Sequence, residues 1–109
     1  MTPHFVLIDD SALVRRSWEV SAKSSQILLN TYKDVPSFLL ANHNKNVVIY
    51  LDRNLSEGML GEREALKLIQ LGFGNISLCT TMSAFDFVLP KTVCLYESKS
   101  PPWDKDYGI

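Results

Sequence analysis

Val47-Val48-Ile49-Tyr50-Leu51 is apolar or aromatic at every position and stops at Asp52. Successive side chains of a strand point to opposite faces, so a segment apolar on both parities has to be covered on both sides. A central strand of a parallel sheet with helices on each face meets that condition, and few other architectures open to a short chain do.

The flanking pattern agrees. Phe5-Val6-Leu7-Ile8 is a short β-type run ending at Asp9-Asp10-Ser11, and Leu13, Val14, Trp18 and Ala22 follow at helical spacing up to Ser24. Residues 26–31 read as a second strand. Asp34-Val35-Pro36 then opens a helix, with an acidic cap followed by an early proline. After Asp52 comes a polar stretch with Gly58 and Gly61. Ala65, Leu66, Leu68 and Ile69 mark a helix over 62–71 that Gly72 and Gly74 close, and 75–81 reads as a fourth strand. A short helix over 83–90 and a fifth strand over 92–98 complete the series. The prolines at 101 and 102 keep the remaining tail from forming a regular helix.

Alternating strands and helices predict a doubly wound, flavodoxin-like α/β fold with five parallel strands, a shortened fourth helix and no regular C-terminal helix. We expect the domain to span 4–101, with 102–109 an irregular tail. Ligands of such open sheets bind beyond the carboxyl ends of the strands. Asp9 and Asp10 end the first strand, Asp52 the third and Thr80 the fourth, and Lys99 follows the fifth.

Composition narrows the partners. The 109 residues carry 11 basic and 12 acidic side chains, and no basic cluster exceeds Arg15-Arg16, which argues against nucleic acid or an anionic membrane as partner. With no basic leader, no signal-type block and no run of membrane-spanning length, a cytoplasmic protein is expected. Cys79 and Cys94 lie in apolar runs without a close-spaced partner and are expected as buried free thiols.

These residues resemble the receiver domains of bacterial two-component response regulators. Phe-Val-Leu-Ile-Asp9-Asp10-Ser is similar to the family's opening strand with its acidic pair. Ile-Tyr-Leu-Asp52-Arg-Asn54-Leu resembles the phosphoacceptor strand, with Gly58 or Gly61 for the glycine that follows. Leu-Cys-Thr80 resembles the strand that ends in the switch residue, and Tyr96 precedes Lys99 by the spacing of the switch aromatic and the active-site lysine. The resemblance implies that Asp52 accepts a phosphoryl group from a histidine kinase or phosphotransfer protein. It also implies that Lys99 and Thr80 contact that group, that Thr80 and Tyr96 form the switch, and that Mg²⁺ is held by Asp9, Asp10, Asp52 and the Asn54 carbonyl. Hard oxygen donors at an acidic strand edge suit that ion.

The sequence departs from the family in four places. Thr81 stands where the family has a tiny residue. Lys99 is followed by Ser100 rather than directly by proline across a cis bond; a cis bond before a non-proline residue costs about 3 kcal/mol, so a trans bond or a shifted loop is expected. The fourth helix is abbreviated, and the final helix is absent. The sheet face bared by that absence is expected to be covered by a second copy of the chain or by another partner, with Phe85, Phe87 and Val88 of the short helix at the contact, while Trp103 serves as a packing plug. A signalling module rather than an enzyme is expected. The alternatives are a degenerate pseudo-receiver acting through phosphorylation-independent contacts, and a Mg²⁺-dependent phosphohydrolase, which Asn54 disfavours because that chemistry places a second aspartate there.

Overall fold

The structure is a computed structural model that describes residues 3–53, 61–80, 92–96 and 98–103. The described elements are β1 (His4–Ile8), α1 (Ala12–Ser24), β2 (Leu28–Tyr32), α2 (Val35–Leu40), β3 (Val48–Asp52), α3 (Gly61–Gln70), β4 (Ile76–Cys79) and β5 (Cys94–Tyr96). The five strands form one parallel sheet in the order β2-β1-β3-β4-β5. The doubly wound α/β class expected from the sequence is the one observed. The abbreviated helix expected over 83–90 lies outside the described residues.

Local chemistry sets the element ends. Ser11 caps α1 by accepting from the Val14 N–H, and Asp34 caps α2 by accepting from the Ser37 N–H at 2.8 Å. The second strand starts later than the sequence pattern indicates. After α1 the Ser25, Gln26 and Ile27 N–H groups turn back to the last carbonyls of the helix, with Gln26 at φ +57°, so the chain straightens only from Leu28. The fifth strand is shorter than expected, and Cys94 on it is exposed, a correction to the buried thiol read from its apolar run. Because β5 ends the strand order, among the described residues it has a ladder partner on one side only. Cys79 is buried, as expected.

The two sheet faces pack differently. On one, Val6, Ile8, Ile49, Leu51, Ile76 and Leu78 meet Val35 and Phe38 of α2 and Ala65 and Leu68 of α3. On the other, Leu7, Cys79 and Tyr96 meet Trp18 and Ala22 of α1 and Trp103. Trp103 lies in a short helical turn that begins at Pro102, packs edge-on to Phe5 at 5.2 Å and to Trp18 at 5.6 Å, and is 8% exposed. It is the packing plug expected, seated on the α1 side of the sheet. Phe85, Phe87 and Val88 lie outside the described residues. Among the described residues no helix is long and apolar enough to cross a membrane.

Candidate functional site

The site forms at the carboxyl edge of β1 and β3, where the first crossover runs to one side of the sheet and the next to the other. Asp9 leaves β1 with its N–H still bonded to the Tyr32 carbonyl at 2.9 Å, and its Oδ1 accepts from the Ser11 N–H at 2.9 Å. Arg15, one turn into α1, donates to the Asp9 carbonyl at 2.7 Å. The strand end is thus fixed through backbone and side chain together, which leaves Asp10 exposed at the rim. Asp52 ends β3 and is 4% exposed.

One oxygen each from Asp9, Asp10 and Asp52 lies within 4.8 Å of the others. Lys99 Nζ donates to Asp52 Oδ1 and stands 3.8 Å from Asp9 Oδ2. The lysine read from spacing is therefore brought onto the acidic cluster, across a trans Lys99–Ser100 bond, since no described peptide is cis. Three carboxylates and the Lys99 ammonium share a space of a few ångströms. Burial pushes the Asp9 carboxyl above its ordinary value; the Ser11 N–H opposes this, the Asp52 charge adds to it, Lys99 opposes it, and Asp10 adds again. A divalent cation would relieve that repulsion, and all three donors are hard oxygens of the kind Mg²⁺ takes. Asn54, the remaining expected ligand, lies outside the described residues, as does Thr81.

Gly61 is required by contact rather than by backbone angle. A Cβ there would fall 2.5 Å from the Asp52 carbonyl oxygen and 2.7 Å from Arg53 Cα, so the start of α3 rests directly on the end of β3. The Gly61 N–H donates to the Arg53 carbonyl at 2.7 Å. Of the two glycines the sequence offered, Gly61 makes this approach, and Gly58 lies outside the described residues.

Thr80 is buried at the end of β4, with its N–H bonded to the Tyr96 carbonyl at 3.1 Å. Tyr96 and its register partner Cys79 face α1, on the side opposite Leu78. The Tyr96 ring is 9% exposed, meets Tyr50 edge-on at 5.2 Å and donates its hydroxyl to the Ser100 carbonyl at 2.5 Å. Burial pushes the Cys79 thiol up to about 12, so it stays neutral beside the acidic cluster.

Sequence reasoning missed two contacts. It gave Arg15 and Trp18 only helical positions, whereas Arg15 clamps Asp9 and the Trp18 indole N–H donates to the Lys99 carbonyl at 2.9 Å. The Arg15 contact has a sequence signal in a long donor just after an N-cap that follows an acidic strand end. The Trp18 contact has none, because its partner is 81 positions away.

No family model matches the sequence, and no curated protein matches it either. Among solved structures the chain is similar to response regulator StyR, with a TM-score of 0.64 and 20% identity over 84% of this chain and 46% of that one. It is also similar to the chemotaxis response regulator CheY4 of Vibrio cholerae, with a TM-score of 0.61 and 21% identity over 79% of this chain and 74% of that one. The chain spans less than half the length of StyR. The likeness is one of fold: the chain has the receiver fold of these response regulators.

Proposed function

We propose that this receiver-fold chain is a phosphoacceptor module in which Asp52 takes a phosphoryl group from a histidine kinase or phosphotransfer protein. One observation carries the reading: on that fold, Asp52 ends the central strand with two further carboxylates within 4.8 Å and an ammonium on its own oxygen.

In the reaction an Asp52 oxygen attacks phosphorus in line, the P–N bond to the donor imidazole breaks, and the imidazole leaves with the electron pair and takes a proton. Lys99 Nζ, paired with Asp52 before the reaction, passes to an oxygen of the incoming phosphoryl group, so its charge meets the charge that develops there. Asp9, Asp10 and Asp52 would hold Mg²⁺, which supplies neutralising positive charge to the phosphoryl oxygens. Arg15 and the Ser11 N–H keep Asp9 aimed into the site. Thr80, at the neighbouring strand end, offers its hydroxyl to the new phosphoryl group. The acyl phosphate changes the charge at this edge, and that change alters which protein surfaces bind here.

Intact-mass measurement after incubation with acetyl phosphate and Mg²⁺ tests the reading. One added phosphoryl group is expected on the wild type and none on Asp52→Asn. A wild type that takes no phosphoryl group overturns the proposal in favour of a pseudo-receiver, and equal labelling of both proteins moves the acceptor elsewhere.

A further inference from the structure

We propose that Trp18 and Tyr96 are positioning residues for Lys99, an assignment that rests on the phosphoacceptor reading above. Lys99 lies beyond β5, on irregular chain that no strand ladder holds. Side chains hold it instead. The Lys99 carbonyl accepts from the Trp18 indole at 2.9 Å, and the next carbonyl, of Ser100, accepts from the Tyr96 hydroxyl at 2.5 Å. The Ser100 N–H donates to Ser98 Oγ at 3.0 Å. Four residues beyond the lysine, the Trp103 indole donates to Ser21 Oγ at 2.8 Å, and its ring stands edge-on to Trp18. Trp18 and Ser21 share one face of α1. The helix therefore grips the segment at Lys99 itself and again at Trp103.

Burial makes the grip specific. Trp18 is 1% exposed and Tyr96 9%, so a displaced loop would leave a buried indole N–H and a buried hydroxyl without these acceptors. The Lys99 side chain is 37% exposed and carries four rotatable carbons. With its backbone fixed, only those rotations decide whether Nζ rests on Asp52; with the backbone free, the ammonium gains many positions in water and is aligned for transfer less of the time. A packing role alone asks only that the rings fill space. Positioning asks for the N–H and the O–H.

Tyr96→Phe keeps the ring and removes its donor, whereas Trp18→Phe removes the indole N–H together with one of its two fused rings. With acetyl phosphate at saturating Mg²⁺, Trp18→Phe is expected to slow phosphoryl uptake about tenfold. The Mg²⁺ concentration that gives half-maximal thermal stabilisation is expected to stay within about twofold of wild type, because no metal-holding carboxylate is touched. The Lys99 ammonium resonance in lysine side-chain NMR, assigned with Lys99→Ala, is expected to move toward that of the solvated lysines. Should Trp18→Phe fail to fold, or lose stability through the cavity left by its second ring, Tyr96→Phe, which loses one oxygen atom and keeps its whole ring, carries the same expectations and separates the lost donor from lost packing. A labelled wild type whose variants match its uptake rate overturns the proposal. A wild type that takes no phosphoryl group overturns the phosphoacceptor reading instead, and the NMR shift then decides positioning: a Lys99 resonance unmoved by the loss of either donor overturns it.

Discussion

Replacing Lys99 by methionine would keep most of the aliphatic stem and remove the ammonium that, among the described residues, compensates Asp9 and Asp52. Its Nζ stands 3.8 Å from Asp9 Oδ2 and in direct contact with Asp52. With an effective dielectric of ~20, one pair at that distance gains ~4 kcal/mol before any cost is counted. The lysine side chain is 37% exposed, so solvent screening and the rotamer entropy of a long chain take back roughly half, leaving about 2 kcal/mol. Urea denaturation without divalent ions is expected to show Lys99→Met less stable by that amount. Millimolar Mg²⁺ is expected to restore much of the difference, because a cation held by the three carboxylates relieves the same repulsion and binding only the native state adds stability by mass action. The variant should therefore gain more from Mg²⁺ than the wild type does. Equal midpoints for the two proteins in chelator, or equal gains in Mg²⁺, would refute the argument that Lys99 compensates an otherwise repulsive cluster.

Gly61→Ala is expected to cost about 1–3 kcal/mol and to weaken the Mg²⁺-induced rise in melting temperature, since the new methyl must displace the Asp52 carbonyl, Arg53 or Leu78; an unchanged Mg²⁺ response would show that α3 yields and β3 does not. Asp34→Ala is expected to cost about 1 kcal/mol at neutral pH by urea denaturation. The Ser37 hydroxyl and then the Ser37 N–H hold the Asp34 carboxyl below 3.8, so that contribution is present above 3.8 and is lost as pH falls through the lower folded value; stability curves of wild type and variant that stay parallel into acid would contradict this. Burial, and then the charge of His4, hold His43 below 6.5, so neutral His43 contributes stability above 6.5 that is lost as pH falls through its folded value; NMR titration of the ring should show the lowered midpoint, and His4→Gln should raise it.

The parts of this molecule that are legible in its sequence are those set by period and by strand ends. A run apolar on both parities identifies the central strand, and acidic residues closing two such runs meet at one edge because parallel strands bring their carboxyl ends together. What period does not reveal is direction. Helical spacing marks Trp18 as core-facing, yet a ring in a core points its N–H wherever the tertiary fold supplies an acceptor, and here that acceptor comes from the far end of the chain. The second strand is misread at its start because Gln26 takes a left-handed turn, which side-chain polarity does not announce and which a glycine there would have signalled. Cys94 reads as buried because its neighbours are apolar, and strand order, not composition, puts it on an edge.

The face covered by α1 shows how the described residues after β5, which form no regular helix, still place the lysine. Phe5, Trp18, Tyr50, Tyr96 and Trp103 are linked by ring contacts of 5.2–6.2 Å, reaching from β1 through β3 to β5 and onto α1. Aromatic pairs contribute roughly 0.5–1.5 kcal/mol each beyond the area they bury, so these few large rings tie the strands to α1 on this face. The cluster also joins the two strands that matter for the site. Tyr50 stands two residues before Asp52 on β3, and Tyr96 stands three before Lys99 at the end of β5. Deleting any one of these rings would loosen the core and shift the site together. Only substitutions that remove a donor and keep the ring separate the two effects, and a Lys99 displaced at nearly unchanged stability is the result that assigns the hydrogen bonds, rather than the packing, to the placement of its charge.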